Sequence, residues 1–435
     1  MNKEDVFYQA MLARDNRFDG KFFVGVKTTG IYCRPICPAK PLRKNVEFFA
    51  TAYAAEKAGY RPCLRCRPEV APQSPAWTGK SAVVQRALKK IHSSEVLDLN
   101  EDSFAETFGV GARHLRRLFT DEIGKTPKQI AFEHRLNLSR KLIVETNLPI
   151  TEIAYASGFG SIRRFNDSFK IRFSRKPSEL RRKKTTPSGP LVVSLPYRPP
   201  YDFERLLGFY RSHSVGNLER FEPGRMIRII RMNGHAGHVV ISDDPKACAL
   251  KLEIDFPHVS AIHAIISRVR RLFDLDSDPL LIANAFEADA GLSGLFKKYP
   301  GVRIPTGWDP FEVAIGTILG QLISVKQATR LVADLIEHYG EESDFVFGGE
   351  KIKFFPGPKK IMQSDLVMIK TTGKRKETLR NFAGAVLNGD ISLESTQNVD
   401  DFRGRLLKIK GIGPWTADYM ALKVLGHTDA FPSTD

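Results

Sequence analysis

The chain has no apolar run long enough to cross a membrane, and only five of its 435 residues are cysteine. Its first residues, Met-Asn-Lys-Glu-Asp, are polar, so the apolar core of a secretory signal is missing there. Both features predict an intracellular protein, whose thiols stay reduced. A reducing compartment favours metal ligation by the cysteines over disulfide bridges. Hydrophobic residues still make up 42% of the chain, which is enough for packed cores in roughly three domains.

Four of the cysteines form two close pairs, Cys33 with Cys37 and Cys63 with Cys66. Two short loops that each deliver two thiolates are what a tetrahedral all-cysteine zinc site requires. We therefore predict that these four residues bind Zn²⁺. The spacing alone favours a structural metal, whereas the arginines and lysines around the pairs suggest chemistry beside an anion. The fifth cysteine, Cys248, stands alone and is expected to be a small core residue.

Positive charge is concentrated in the first part of the chain. The net charge is +17, of which residues 1–75 carry +6 and residues 81–184 carry +9, whereas residues 185–435 carry only +1. Surface charges without a partner would not be distributed so unevenly. The asymmetry predicts a polyanionic partner for the N-terminal part, and nucleic acid is the usual one.

The composition also suggests where the chain divides. Two segments that combine proline with serine, threonine and glycine, residues 71–79 and 183–190, are typical of linkers. The intervening stretch has helical periodicity, the stretch after residue 190 has short alternating runs typical of strands, and helical periodicity returns from about residue 260. The predicted domains are residues 1–75, 81–184, 191–271 and 272–435.

The helical stretch contains two copies of one plan, a short helix, a glycine turn and a second helix. The first copy covers residues 103–119 with its turn at Gly109, and the second covers residues 151–169 with Ser161 as the expected N-cap. In a helix-turn-helix the second helix lies in the major groove of DNA. The side chains predicted to face DNA are Arg113, His114, Arg116 and Arg117 in the first copy, and Arg163, Arg164 and Asn166 in the second.

One such unit would indicate only a helical hairpin, but two units joined by a long helix at about residues 127–146 resemble the AraC family DNA-binding domain. The tail Phe173-Ser-Arg-Lys-Pro-Ser-Glu-Leu-Arg is similar too, although family members often carry glycine where Ser174 stands. The resemblance implies that the two units occupy adjacent major grooves. Residues 161–184 carry ten basic and two acidic side chains, which suits contacts to phosphates.

The cysteine segments carry a second resemblance. Thr28-Thr-Gly-Ile-Tyr-Cys33-Arg-Pro-Ile-Cys37-Pro, with Ala58-Gly-Tyr-Arg-Pro-Cys63-Leu-Arg-Cys66, closely resembles the N-terminal domain of the Ada methyl phosphotriester repair family over about residues 5–70. The resemblance implies that all four cysteines bind zinc and that Cys33 irreversibly takes a methyl group from a DNA phosphotriester. Methylation removes one negative charge from the cluster, which should strengthen DNA binding.

The C-terminal part carries a third motif. Leu406-Leu-Lys-Ile-Lys-Gly411-Ile-Gly413-Pro-Trp415 predicts a helix-hairpin-helix whose glycines let backbone N–H groups approach a phosphate. Residues 191–435 resemble the AlkA type of alkylpurine DNA glycosylase. The resemblance implies a catalytic Asp435, aromatic residues Trp415 and Tyr419 in the base pocket, and Gln321 and Leu322 as the element inserted into DNA. Family members continue for further helices, so the end of this domain is expected to be missing.

The predicted fold class is multidomain, mainly α with α+β parts. It comprises a small four-cysteine zinc α/β domain, an all-α double helix-turn-helix domain, an antiparallel-sheet α+β domain and an all-α helix-hairpin-helix glycosylase domain. The predicted function is a DNA alkylation damage response that combines methyl transfer to Cys33, methylation-enhanced transcription activation and excision of alkylated purines such as 3-methyladenine. An alternative is an AraC-type regulator with a structural or sensed metal and neither activity.

The expected partners are double-stranded DNA, both alkylated and promoter DNA, and RNA polymerase, with no membrane. The expected location is the cytoplasm, associated with the nucleoid.

Overall fold

The computed structural model describes residues 3–15, 18–19, 21–50, 52–63, 66, 68, 82–92, 100–146, 148–181, 190–287, 289–395 and 397–433. The first predicted linker lies outside the described residues, and of the second only residue 190 is described. In the described part of the chain, no helix is both long and apolar enough to span a bilayer.

A small sheet brings the two cysteine segments together. Strand β2 pairs antiparallel with β1 and parallel with β4, and Tyr32 aligns with Pro62, so the residues that follow these two strands lie side by side. The described strands of this region follow the order β3-β1-β2-β4. The elements are α1 (Lys3–Ala13), β1 (Phe23–Val26), β2 (Ile31–Cys33), β3 (Val46–Phe49), α2 (Ala52–Lys57) and β4 (Arg61–Pro62).

The next region consists of helices, with the two predicted helix-turn-helix units on either side of a long helix. Gly109 and Gly158 turn the chain with φ of 71° and 77°. The Ser161 hydroxyl accepts a hydrogen bond from the backbone N–H of Arg164, as expected of an N-cap. The helices are α3 (Ala82–His92), α4 (Glu101–Glu106), α5 (Ala112–Ile123), α6 (Pro127–Glu145), α7 (Ile150–Ala156), α8 (Ile162–Phe173) and α9 (Pro177–Leu180).

The second helices of the two units have different C-caps. The C-cap of α5 is Gly124 with φ of 81°, whereas that of α8 is Ser174 with φ of 56°, where a β-carbon costs roughly 1–2 kcal/mol. We expect Ser174→Gly to raise the free energy of unfolding by about 1 kcal/mol in urea titrations, because glycine adopts this conformation without strain. The reverse exchange, Gly124→Ser, should lower it by a similar amount. A destabilised Ser174→Gly variant would contradict this explanation.

The third region is a five-stranded antiparallel sheet of order β5-β9-β8-β7-β6, in which the predicted strand runs fall in β7, β8 and β9. Cys248 was expected to be a small core residue; it is half-buried in the turn between β8 and β9, with φ of 48°, and packs against the edge of the core. The elements are β5 (Leu191–Pro196), α10 (Phe203–Ser212), β6 (Glu219–Glu222), β7 (Arg225–Met232), β8 (His235–Asp244), β9 (Ala249–Asp255) and α11 (Ile262–Leu272).

One apolar core joins this sheet to the second helix-turn-helix unit. Ile153 and Phe169 belong to the same buried cluster as Val193 and Leu252 of the sheet. The backbone N–H of Ser194 also donates to the Glu145 carboxylate at 3.2 Å. These two regions, predicted as separate domains, therefore pack as neighbours with a shared core.

The last region is helical and surrounds its own core, which also receives Ile229 of β7. It was expected to be all-α, but the hairpin β10 (Val346–Phe347) and β11 (Glu350–Lys351) interrupts it. The helices are α12 (Pro279–Phe286), α13 (Ala290–Lys298), α14 (Pro310–Gly320), α15 (Val325–Tyr339), α16 (Pro358–Gln363), α17 (Gly373–Leu387), α18 (Val399–Leu406) and α19 (Pro414–Lys423).

Candidate functional site

The four paired cysteines meet at one point at the ends of β2 and β4. Cys33 is the last residue of β2, and the backbone N–H of Cys63, just after β4, donates to the Tyr32 carbonyl at 2.9 Å. The four sulfur atoms lie within 4.8 Å of one another, and all four residues are buried. Sulfur atoms around a tetrahedral zinc ion stand roughly 3.8 Å apart, given Zn–S bonds of about 2.3 Å. The donor set and its convergence therefore fit Zn²⁺.

The four thiols shift the pKa values of one another. A hydrogen bond with Cys33 lowers the pKa of Cys37 to about 7 and also lowers the pKa of Cys63. A hydrogen bond with Cys37 raises the pKa of Cys33, and burial raises the pKa of Cys66. Four sulfurs this close cannot all ionise unless a cation compensates their charge.

Backbone N–H groups affect the four sulfurs unequally. The N–H of Arg34 donates to Cys66 Sγ at 3.3 Å. The backbone amides of Ala39 and Cys66 also lower the pKa of Cys37 and of Cys63. The largest influences on the pKa of Cys33 come from the other three sulfurs and from burial. A thiolate that shares its charge with a hydrogen-bond donor is a weaker nucleophile.

Glu56 in α2 connects the cysteine domain to both helix-turn-helix units. Its carboxylate accepts hydrogen bonds from Tyr32 Oη at 2.8 Å, Lys125 Nζ at 2.7 Å and Arg172 Nη2 at 2.6 Å. Lys125 precedes α6, and Arg172 lies in α8. Burial raises the pKa of Glu56, but Arg172 and Lys125 outweigh it and lower that pKa overall. The sequence offered no signal for this contact, because its members are far apart along the chain.

We expect Glu56→Gln to lower the free energy of unfolding by about 3 kcal/mol at neutral pH, because it leaves the largely buried guanidinium of Arg172 without its carboxylate, whereas Lys125 keeps its ion pair with Glu133. The pKa of Glu56 is depressed in the folded state, so its contribution is present above the ordinary glutamate pKa and is lost as the pH falls through the folded pKa. Urea unfolding curves of wild type and variant should therefore converge in acid.

The matched control is Glu47→Gln. It removes another carboxylate of the same domain that accepts from a tyrosine, Tyr60, at 2.9 Å. Because Glu47 is more exposed, a change below about 1 kcal/mol is expected. Equal destabilisation by the two substitutions would contradict the linking role of Glu56.

The predicted DNA-facing side chains are exposed on the two second helices. On α5, the Arg116 guanidinium forms an ion pair with Glu101, and Arg117 Nη2 lies 3.2 Å from His114 Nδ1. The buried stripes of the two helices include Leu115 and Phe165. The exposed residues are Arg113, His114, Arg116 and Arg117 on α5, and Arg163, Arg164 and Asn166 on α8.

The two predicted pocket aromatics stand together on α19. Trp415 and Tyr419 stack with ring centroids 4.9 Å apart and an interplanar angle of 14°. They line a cavity of about 1080 Å³ that also reaches Trp308. Trp415 Nε1 is buried, and no hydrogen-bond acceptor for it is found in the described part of the chain. A buried donor without an acceptor is energetically costly. A polar ligand in the cavity could accept this hydrogen bond.

The predicted inserting element lies at the mouth of this cavity. The Leu322 side chain is fully exposed, and its φ is 58°. Gln321 Nε2 donates to the carbonyl of Gly411 and to Thr416 Oγ1, both at 3.0 Å. Arg375 donates to the Gln321 carbonyl. Gln321 therefore links the segment between α14 and α15 to the hairpin around Gly411, and the Leu322 side chain projects from this segment.

The surroundings of the two hairpin glycines, Gly411 and Gly413, differ. A β-carbon on Gly411, whose φ is 94°, would lie 2.1 Å from Thr378 Oγ1. Gly413 is the N-cap of α19, and a β-carbon there would meet nothing within 4 Å, so that side is open to a ligand. The predicted catalytic residue, Asp435, lies outside the described residues.

Two charged features of the cavity escaped the sequence analysis. Glu219 and Glu312 line it and share the buried guanidinium of Arg228. Lys423 Nζ donates to the Pro305 carbonyl at 2.8 Å, and burial lowers its pKa to about 8. The sequence indicates that Lys423 lines the cavity only through its position one helical turn after Tyr419.

Three family models match the chain. The metal binding domain of Ada matches residues 6–69, a helix-turn-helix domain matches residues 104–183, and the AlkA N-terminal domain matches residues 192–309. These matches confirm the three predicted resemblances and, with the cysteine cluster, Zn²⁺ as the cofactor.

Relatives cover both parts of the chain. The chain is 35% identical over 438 residues to a probable bifunctional transcriptional activator/DNA repair enzyme AlkA of Mycobacterium tuberculosis, covering 98% of this chain and 87% of the relative. DNA-3-methyladenine glycosylase 2 of Escherichia coli is 30% identical over 56% of this chain and 84% of its own length. The bifunctional transcriptional activator/DNA repair enzyme Ada of the same organism is 40% identical over 29% of this chain and 34% of its own. Because the mycobacterial match extends along nearly all of both chains, this protein belongs to the family of bifunctional transcriptional activator/DNA repair enzymes.

Proposed function

We propose that the cysteine domain transfers a methyl group from a DNA methyl phosphotriester to Cys33. The observation that carries this proposal is the cluster of four buried cysteines, whose sulfur atoms lie within 4.8 Å of one another and fit Zn²⁺. Bound Zn²⁺ keeps the cysteine sulfurs deprotonated at neutral pH.

The transfer is a single in-line displacement. Cys33 Sγ attacks the methyl carbon, a sulfur–carbon bond forms, and the bond between that carbon and the phosphate oxygen breaks. The phosphate leaves with the electron pair as an ordinary diester anion. The thioether on Cys33 is stable, so each chain acts once.

Methyl transfer also supplies a regulatory signal. Methylation lowers the negative charge of the cluster by one, which reduces its repulsion from DNA. Glu56 joins the domain of the cluster to both helix-turn-helix units. The second helices of these units would enter adjacent major grooves of a promoter. The partners of this activity would be promoter DNA and RNA polymerase, in the cytoplasm at the nucleoid.

The C-terminal part would excise alkylated purines such as 3-methyladenine. Trp415 and Tyr419 offer aromatic faces to a flipped, positively charged base, and Leu322 would fill the space that this base leaves in the duplex. The open backbone at Gly413 would receive a DNA phosphate. Asp435 would stabilise the positive charge that develops on the sugar as the glycosidic bond breaks.

Both activities can be tested in one tube. The full chain is incubated with methylated duplex DNA, the protein is analysed by peptide mass spectrometry, and the released bases are separated by chromatography. One methyl group on the peptide that contains Cys33, together with free 3-methyladenine, is expected. An unmodified protein would contradict the first activity, and the absence of released base would contradict the second.

A further inference from the structure

A fully buried arginine beneath the base pocket is shared by two carboxylates. Arg228 Nη1 donates to Glu219 Oε1 at 2.8 Å, and Arg228 Nη2 donates to both oxygens of Glu312, at 2.8 and 2.6 Å. The Arg228 side chain is 1% exposed, and those of Glu219 and Glu312 are 5% and 11% exposed. When all three groups are ionised, this triad carries one uncompensated negative charge.

The fold places the triad against the wall of the pocket. Glu219 lies opposite Arg228 in the pairing of β6 with β7, and Glu312 is in the first turn of α14. Helix α14 then runs along the same cavity to Gln321, and both glutamates line it together with Trp415 and Tyr419. A charge at this place acts through a poorly screened interior on whatever fills the cavity.

Among the described residues, Glu219 and Glu312 form ion pairs with no cation other than Arg228, although the backbone N–H of Val215 donates to the second oxygen of Glu219 at 3.0 Å. Burial raises the pKa of Glu312 to about 7, although Arg228 beside it acts in the opposite direction, and Asp309 and Glu219 raise it further. Two other cations line the cavity, and both bind backbone carbonyls: Lys423 donates to Pro305 and Arg375 to Gln321. The triad thus lacks one positive charge, which a ligand in the pocket could supply.

We propose that Glu312, held by Arg228 and acting together with Glu219, determines specificity by selecting flipped bases that carry a positive charge over neutral ones. The inference rests on the proposed glycosylase function. A purine alkylated at a ring nitrogen carries this charge while it is bound to the sugar and loses it when it is released. The triad therefore favours binding of the damaged base and has little effect on the bond-breaking step.

The test measures binding without cleavage. Two duplexes are made with a 2′-fluoro sugar, which blocks base release, one with cationic 7-methylguanine and one with neutral hypoxanthine. Fluorescence anisotropy is recorded above the Glu312 pKa of about 7 with the full chain and its variants. Glu312→Gln should weaken binding of the 7-methylguanine duplex about tenfold and leave hypoxanthine within about twofold. Glu219→Gln, which leaves the pair of Arg228 with Glu312 in place, should act in the same direction.

The control variant is Glu341→Gln. It removes the carboxylate partner of Arg231, another arginine of β7, and Glu341 does not line the pocket. The ratio between the two duplexes should not change in this variant. Equal losses for both duplexes with Glu312→Gln would show a purely structural triad, and an unchanged ratio in both pocket variants would also overturn the inference.

Failure of the inference and failure of the proposed function give different results. A binding preference that Glu312→Gln abolishes, without base release from ordinary duplexes, supports charge selection and contradicts the glycosylase proposal. Base release by the wild type, with equal binding losses for both duplexes in the variant, supports the glycosylase proposal and contradicts charge selection.

Discussion

Replacing Cys33 with serine should reduce methyl uptake from one group per chain to none. A serine hydroxyl stays protonated at neutral pH and is a far weaker nucleophile than a thiolate. The measurement is the intact mass of the chain after incubation with duplex DNA that contains methyl phosphotriesters.

Cys248→Ser is the matched control for this experiment. Cys248 is a cysteine outside the cluster, half-buried in a turn, so its variant should still gain one methyl group. Circular dichroism and zinc content show whether the Cys33→Ser domain remains folded. Continued uptake by a folded Cys33→Ser variant, or a methyl group mapped to Cys37, Cys63 or Cys66 of the wild type, would refute the assignment.

Replacing Asp435 with asparagine should slow base release about 10²–10³-fold and leave duplex binding nearly unchanged. The amide has the same shape as the carboxylate but cannot stabilise the positive charge that develops on the sugar. Single-turnover release of 3-methyladenine from methylated DNA measures the rate, and anisotropy measures binding. A loss confined to the rate is expected of a group that acts in the transition state.

The comparison for this variant is Asp429→Asn. Asp429 is an exposed carboxylate of the same segment, six positions earlier in the chain, and its removal should not change the rate. Release by Asp435→Asn at nearly the wild-type rate would mean that another group supplies the charge. Glu312, which lines the same pocket, would then be the first carboxylate to test.

Much of the architecture follows from patterns that are short along the chain. Ser161 is a polar residue before an apolar stripe, and it is the N-cap of α8. Gly109 marks a turn, and its φ of 71° is one that most residues avoid. The matches to known families confirm the three family resemblances given by the longer motifs.

Other features were misjudged or missed because they depend on packing. Nothing near Arg228 in the sequence indicates its buried partners, because α14 supplies Glu312 from 84 residues further along the chain. Cys248 has the small, apolar character of a core residue, but the turn geometry leaves it half-buried. The hairpin of β10 and β11 is too short to give a periodic signal.

The sequence by itself determined the metal ligands and the DNA-facing helices as candidates, because each depends on spacings of a few residues. The aromatic pair and the roles of Cys33 and Asp435 came from resemblance, and these roles remain proposals. The tertiary structure alone decided which charges are buried together: Glu56 with Lys125 and Arg172 between domains, and Glu312 with Arg228 at the pocket. The physical reason is that the strength of a charge depends on the solvent that distant segments exclude, and no local pattern records that exclusion.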